Sequence, residues 1–356
     1  MITILTLCSA NYLAQAKTLG DSLLLHNPSY KFVIGLVDRI DDKLDASYWE
    51  PYEIIELEQI GIPELDKMID RYNIVELNTA VKPFYMEYLY QRDPNIESVI
   101  YLDPDIFIYN DFKNLENKLK LYNIIITPHS FTMDNTDINI YYEKIMLRTG
   151  LYNLGFIATA RSEKTFEFLN WWKKRLEKYC FYQPGSGLFV DQIWGNFIPL
   201  YFEKVYIEKN PGYNVCYWNF FERSLSYSDN QYWVNSETKL TFFHFSGYNP
   251  LKSDKVASRG YLIPENFQEK VKPIYENYRQ KLLDNNYENL IKLECYFITE
   301  QKRRKLEKAR QKENRLTQGE KLNKNLKENF KQLVSGLPNP MKKVLKKVNT
   351  LILDSL

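Results

Sequence analysis

Ser98-Val99-Ile100-Tyr101-Leu102-Asp103-Pro104-Asp105-Ile106-Phe107-Ile108-Tyr109 is the stretch on which the reading of this chain turns. An apolar segment runs into two acids and then resumes as apolar. In α/β proteins, ligands bind beyond the carboxyl ends of parallel strands. Two carboxylates at such a strand end are costly unless water or a cation neutralises them. If the backbone stays extended there, a period of two sends both side chains of Asp-x-Asp to one side. Hard oxygen ligands suit Mg²⁺ or Mn²⁺, shared with substrate phosphates. A loop carrying two solvated acids and a turn-favouring proline is the plain alternative. Core residues on both sides of the acids weigh against it.

The neighbouring segments supply an α/β frame for this strand. Ile2–Leu7 reads as a buried strand, followed by a helix to about Leu25 that Asn27-Pro28 terminates. Lys31–Val37 and Tyr52–Leu57 read as further strands, so the opening is strand–helix–strand with a parallel sheet. Residues 64–91 look helical with a break near Pro83. Tyr122–Thr127 and Tyr152–Ala160 read as strands, and Glu163–Tyr179 as an amphipathic helix. Trp171 and Trp172 lie on that helix and cannot both face the core. Phe181–Asn249 is rich in aromatics, glycine and asparagine, which suits short strands and loops. Past Pro264 the pattern is helical and polar to the end.

A second candidate site residue lies near the end of that loop-rich region. Leu240–Phe245 reads as a strand that delivers His244 to a turn at Ser246-Gly247. A neutral imidazole is a common metal ligand. A histidine satisfied inside an aromatic core is the competing reading. With Asp103 and Asp105, His244 completes an Asp/Asp/His set.

Composition bounds the function classes. The chain has 356 residues, 44% hydrophobic and 26% charged, with a formal charge of +2. That is the profile of a globular protein with a large core. No uncharged apolar run approaches the ~20 residues of a membrane-spanning helix. Met1–Leu7 has no basic lead and reads as a strand rather than a signal peptide. Cys8, Cys180, Cys216 and Cys295 are far apart and form no CxxC, so a cytoplasmic setting is expected. The small net charge hides a split. Residues 301–356 carry 16 Lys and Arg against 5 Asp and Glu, which leaves the first 300 residues with 31 against 40. Such asymmetry marks contact with an anionic surface, or a solvated helical arm. Within the tail, residues 341–356 place Met341, Val344, Leu345, Val348, Leu351, Ile352 and Leu356 at helical spacing, with Lys342, Lys343, Lys346 and Lys347 on other faces. A basic amphipathic helix of this kind suits an anionic membrane surface. Docking on the protein or on another subunit is the other reading. The acidic body and the lack of a recognition motif argue against nucleic acid.

Taken in order, five groups of residues resemble a known family. Ser9-Ala10-Asn11-Tyr12 with Thr18–Leu23 and His26 is similar to the nucleotide-binding opening of GT-A-fold glycosyltransferases of family 8, the glycogenin and lipooligosaccharide galactosyltransferase type. Tyr101-Leu102-Asp103-Pro104-Asp105 resembles their Tyr-Leu-Asp-x-Asp metal motif. Tyr152–Phe156 resembles their Asn-x-Gly strand, here Asn153 and Gly155, and Val190-Asp191-Gln192 their Asp-Gln segment. Phe243–Gly247 resembles their closing His-x-x-Gly. The resemblance covers roughly residues 1–260.

It implies an α/β, Rossmann-like (GT-A) nucleotide-sugar-binding domain with a mixed central sheet over 1–260, and the composition beyond it reads as a helical, basic C-terminal extension over 261–356. It implies transfer of a hexose from a UDP-sugar to a glycan, lipid-linked saccharide or glycoprotein, with retention, in cell-surface polysaccharide or glycoconjugate biosynthesis. The setting would be cytoplasmic and peripheral at the inner membrane face. Asp103, Asp105 and His244 would hold Mn²⁺ or Mg²⁺ against the donor diphosphate. Ala10, Asn11 and Tyr12 would line the uracil and ribose pocket, with Tyr12 stacking on the base. Lys82 would meet donor phosphate or sugar hydroxyls. Asn153, Asp191 and Gln192 would sit by the transferred sugar, with Gly155 and Gly247 shaping the site and Lys252 near phosphate. Lys252 follows Pro250 at a shifted spacing, and Pro104 stands where the family carries a small residue. The segment Pro211–Asn219 combines aromatic faces with amides and suits an acceptor cleft or loop packing. A sugar nucleotidyltransferase fits less well, because no Gly-rich phosphate loop follows the first strand. A catalytically silent sugar-nucleotide- or glycan-binding partner is the alternative from a different class.

Overall fold

Strand β1 (Ile2–Cys8) is buried along almost its whole length, as a parallel strand covered on both faces must be. Strands β2 (Lys31–Leu36) and β3 (Glu53–Glu56) extend the sheet in parallel on one side, and β4 (Ser98–Leu102) pairs in parallel on the other. A computed structural model describes residues 1–41, 44–133, 135–252 and 265–335 of the chain. Helix α1 (Leu13–His26) makes the crossover from β1 to β2.

The sequence reading of 98–109 as one strand is corrected. β4 stops at Leu102, and β5 (Ile106–Ile108) belongs to a different, two-stranded sheet. Asp103 to Ile106 is a tight turn closed by the Ile106 N–H donating to Asp103 O at 3.2 Å. Asp at the first position and proline at the second are what such a turn favours. The two carboxylates therefore converge through a turn, not through an extended backbone.

Strand β6 (Ile124–Pro128) and the long β7 (Tyr152–Ala160) continue the main sheet. β7 runs antiparallel to both β4 and β6, so the sheet is mixed. A short hairpin, β8 (Tyr182–Gln183) and β9 (Leu188–Phe189), stands apart from it. β10 (Val205–Ile207) adds the outer edge, and the seven strands lie in the order β10-β6-β7-β4-β1-β2-β3. β11 (Leu225–Ser228), β12 (Gln231–Val234) and β13 (Thr238–Lys239) form a small meander. β14 (Phe242–His244) pairs antiparallel with β5, with His244 opposite Ile106.

Residues 64–91 form three helices: α2 (Leu65–Arg71), α3 (Ile74–Ala80) and α4 (Lys82–Arg92). Asn73 caps α3 by accepting from the Val75 and Glu76 N–H groups, and Glu76 accepts from the Asn73 N–H, a full capping box. Pro83 sits in the first turn of α4, where no N–H is needed, so it starts that helix rather than breaking it. Helices α5 (Lys113–Leu119), α6 (Asp137–Thr149), α7 (Glu163–Tyr179) and the single turn α8 (Ile198–Tyr201) follow. On α7, Trp172 is buried and Trp171 is half-buried against Tyr201 and Phe202.

The compact body does not end at 260. It runs from Met1 to Ile298, and Thr299–Leu356 is a separate unit. Helix α9 (Glu265–Asp284) buries Val271, Ile274, Tyr275, Tyr278 and Leu282 in the same core as Phe243 and Phe245, and Tyr278 stacks on Phe245 at 3.8 Å. The turn α10 (Tyr287–Leu290) adds Tyr287 and Leu290. The polar composition past Pro264 hid an apolar face on α9. Helix α11 (Tyr296–Ser335) carries the second unit, with Glu300 paired to Arg303 and Arg304 at helical spacing. The segment 341–356 lies outside the described residues. No helix among the described residues is long and apolar enough to cross a membrane.

Candidate functional site

The turn at Asp103–Ile106 and the β5–β14 pairing bring three ligand groups together. The Asp103 N–H donates to Gly155 O at 2.8 Å, which extends the β4–β7 ladder by one residue and fixes the first carboxylate. The Phe245 N–H donates to Asp105 O at 2.8 Å and ties the second to the end of β14. His244 Nε2 then lies 3.1 Å from Asp105 Oδ1 and 3.8 Å from Asp103 Oδ2. One ligand atom from each residue falls within 4.8 Å of the others. The imidazole is 3% exposed, whereas the carboxylates keep 28% and 23% of their side-chain surface and open to solvent.

His244 Nδ1 faces Asn214 Oδ1 at 3.1 Å. An amide oxygen only accepts, so Nδ1 carries the proton and donates, and Nε2 turns toward the carboxylates, as a metal-binding histidine requires. Burial alone would lower the imidazole pKa, but Asp105 and then Asp103 outweigh it and raise it. The site thus favours positive charge at Nε2. Gly155 makes the approach feasible. A Cβ there would stand 2.6 Å from Asp103 Oδ2 and 2.8 Å from both Asn153 Oδ1 and His244 Cε1. Two carboxylates, one oriented imidazole and a cradle that only glycine leaves open fit a divalent cation.

Beside this corner sits a buried ion pair. Lys82, the first residue of α4, places Nζ 2.9 Å from Asp191 Oδ2 and 3.5 Å from Asp103 Oδ1, and donates to Leu154 O at 3.0 Å. Its ammonium also lies 4.4 Å from the centre of the Tyr101 ring. Burial pulls the lysine pKa down, yet Asp103 and Asp191 carry it above its ordinary value. Asp191 is raised to about 6, chiefly by burial, against the pull of Lys82. Lys82 Nζ is the cation that faces this oxygen, at ion-pair distance. Tyr101 OH donates to Asp103 Oδ1 at 2.7 Å.

The two carboxamides expected near a transferred sugar, Asn153 and Gln192, line the same cleft. Asn153 Nδ2 lies 3.2 Å from Gln192 Oε1 and 3.3 Å from His129 Nε2, while its Oδ1 accepts from the Gly155 N–H at 3.2 Å. Gln192 Nε2 donates to Thr149 O at 2.7 Å. Both carboxamides line the cleft, yet their polar atoms are engaged within the protein.

These groups lie in one cleft of about 380 Å³. Asn11, Tyr12, Lys82, Asp103, Asp105, Asn153, Gly155, Asp191, Gln192 and His244 all line it. Tyr12 is 38% exposed, with its phenol pKa pushed up to about 12 by burial of the hydroxyl and by Asp105. Ala10, Gly247 and Lys252 are not among the lining residues. Ala10 is buried, and its N–H donates to Asp38 Oδ2 at 3.1 Å, so it anchors the loop after β1. Gly247 is exposed and takes a left-handed φ of 70° in the turn after β14. Lys252 is exposed.

His129, assigned no role in the sequence reading, and three residues of the Pro211–Asn219 segment complete the site. Asn214 orients His244. His129 accepts from Asn153 through Nε2 and faces Leu151 O through Nδ1 at 3.2 Å, and burial lowers its pKa to about 4, so it stays neutral. Trp218 packs edge-on to both His129 and His244, at 5.4 and 5.2 Å. Asn219 holds their loop by donating to His129 O and Asn214 O. From the Pro211–Asn219 segment, Tyr217 and Trp218 reach the cleft, whereas Phe220 beyond it is core.

Fold and site together define an α/β protein with a mixed sheet and a candidate divalent-metal centre at a strand end. No protein-family model matches the sequence. Among known proteins, the chain is similar to Uncharacterized protein YfnF of Bacillus subtilis (strain 168), 29% identical over 183 residues, or 50% of this chain. That match spans 58% of the length of YfnF. Uncharacterized protein YfnD of the same strain is 22% identical over 246 residues, 68% of this chain and 76% of YfnD. Among solved structures, it is similar to the galactosyltransferase LgtC in complex with donor and acceptor sugar analogs, with a TM-score of 0.47 at 15% identity over 79% of this chain and 95% of that one. The glycosyltransferase GlyE of Streptococcus pneumoniae TIGR4 gives 0.46 at 14% over 83% of this chain and 65% of that one.

Proposed function

We propose that this protein is a metal-dependent glycosyltransferase that moves a hexose, with retention, from a UDP-sugar to a glycan or lipid-linked acceptor. The observation that carries this reading is the convergence of Asp103, Asp105 and His244 within 4.8 Å on a cleft that also contains the Lys82–Asp191 pair. A divalent cation held there supplies a counter-charge for the diphosphate that leaves the sugar. Lys82 keeps a positive charge beside the same position, and the pair of cationic groups suits a developing phosphate charge. Asp191, a buried carboxylate that lines the cleft beside Lys82, can accept from a sugar hydroxyl. Tyr12 offers an exposed ring at the end of the first strand, where a base can stack. Asn153 and Gln192 hold the wall in shape through their mutual bonds and through His129 and Thr149. The ordered motif resemblance from Ser9 to Gly247 supports the same reading. A cytoplasmic, membrane-peripheral location, with residues 341–356 meeting an anionic lipid surface, belongs to this proposal.

The test is release of UDP by the purified protein across a panel of UDP-hexoses with Mn²⁺ and no acceptor. Chelator-sensitive hydrolysis of one donor is the expected result. Binding of UDP-sugars without release from any of them would favour the silent binding partner instead.

A further inference from the structure

The cleft has two chemically distinct parts. Its acidic and cationic groups stand at the ends of β4 and β14, at the start of α4 and at Asp191. Another wall is built by α3, α6 and the β8–β9 hairpin, and Glu76 Oε1 ties α3 to the hairpin by accepting from the Tyr182 N–H at 2.8 Å. This wall presents Ile74, Val75, Ile145, Met146, Tyr182 and Phe189 to the cleft. Val75 is 62% exposed and Tyr182 45% exposed, so these side chains are not simply core residues.

The polar residues of the wall turn their donors away from a ligand. Asn78 Nδ2 donates to Ile74 O at 2.8 Å, Thr149 Oγ1 to Ile145 O at 3.0 Å, and Thr79 Oγ1 to Val75 O. Each is spent on its own helix. A sugar laid here would find no free donor among these three and one unpartnered acceptor, Asn78 Oδ1, so most of its hydroxyls would lose hydration without replacement, which disfavours a purely saccharide occupant. Aromatic faces suit sugar rings, but four aliphatic side chains suit hydrocarbon.

We propose that the acceptor is a saccharide carrying a hydrocarbon chain close to the accepting sugar, and that the chain lies along the α3–α6–hairpin wall. This rests on the glycosyltransferase reading of the same cleft and narrows its acceptor to the lipid-linked class. Continuity of the wall with the metal corner places chain and reacting sugar in one cavity.

The experiment is calorimetric binding of n-octyl and methyl β-D-glucosides and β-D-galactosides, below micellar concentration, with Mn²⁺ and UDP present. Wild-type protein should bind the octyl glycosides at least about tenfold more tightly than the methyl ones. Val75→Asp, at an exposed position, should remove most of that difference while circular dichroism shows an intact fold, and Met146→Gln should reduce it less. Equal binding of octyl and methyl glycosides, or an octyl preference untouched by both variants, would overturn the proposal. The glycosyltransferase reading is scored separately by UDP release from the wild-type protein. A protein that releases UDP but ignores the octyl chain fails only the present inference. One that binds the chain along this wall yet uses no donor keeps a hydrocarbon site and loses the transfer.

Discussion

Two neighbouring parts of the cleft differ in how their polar valences are used. At the metal corner, Asp103 and Asp105 stay partly exposed, and His244 Nε2 points at them with its other nitrogen facing Asn214. At the carboxamide wall, Asn153 and Gln192 bond to each other, to His129, to Thr149 and to the Gly155 N–H. Burial and hydrogen bonding are extensive in both. Only the first leaves lone pairs pointing at open space. A polar side chain in a cleft is therefore not by itself a ligand-binding group. Its unspent valence decides that.

The sharpest way to break this contrast is Asp105→Asn. It removes a charged oxygen ligand while keeping the shape of the turn, and UDP release should fall about a thousandfold. An unchanged rate would place the chemistry elsewhere. Next in size, Asn214→Ala frees His244 Nδ1 and should weaken Mn²⁺ binding about 10- to 100-fold, the usual cost of losing a partner behind a metal ligand. Titration calorimetry reads this directly.

The carboxamide wall should respond in stability more than in chemistry. His129 has a folded pKa of about 4, below the ~6.5 of an unfolded chain. The unfolded chain therefore takes up the proton first. The contribution of neutral His129 is complete above about pH 6.5 and is lost as pH falls toward 4. At pH 5 the loss is about 2 kcal/mol, so His129→Gln should lose less thermal stability than wild type between pH 7 and 5. Smallest of the four, Asn153→Ala should cost about 1–2 kcal/mol of stability from the orphaned Gln192 and Gly155 groups, with Mn²⁺ affinity changed only a fewfold. A large fall in Mn²⁺ affinity for this variant would erase the distinction between the two regions.

Much of the frame was legible because its signals are local. The buried strands at Ile2–Cys8, Lys31–Leu36 and Tyr152–Ala160 are short apolar runs bounded by turn residues, and Ser162 caps a helix whose apolar stripe is visible in the sequence. Asp103, Asp105 and His244 could be singled out because acids and a histidine stand at the ends of apolar runs. What failed depends on contacts distant in the chain. Nothing near Asn214 shows that it meets His244 thirty residues later, or that His129 meets Asn153. The break between β4 and β5 was masked by apolar residues on both sides of Pro104, since two different sheets each demand such residues. Helix α9 was assigned to a polar extension because its charged face dominates the composition, yet its other face completes the core under Phe245. Gly247 and Lys252 were placed in the site by motif spacing, and the turn after β14 carries them to the surface.

The proposed transfer depends most on the three-residue corner holding a divalent cation in a way that matters for a nucleotide donor. Calorimetric titration of Mn²⁺ into wild-type protein and Asp105→Asn, each with and without UDP, tests that directly. One Mn²⁺ site that UDP tightens and that Asp105→Asn loses is the predicted result. Identical Mn²⁺ binding by both proteins, or no binding by wild type even with UDP, would contradict it.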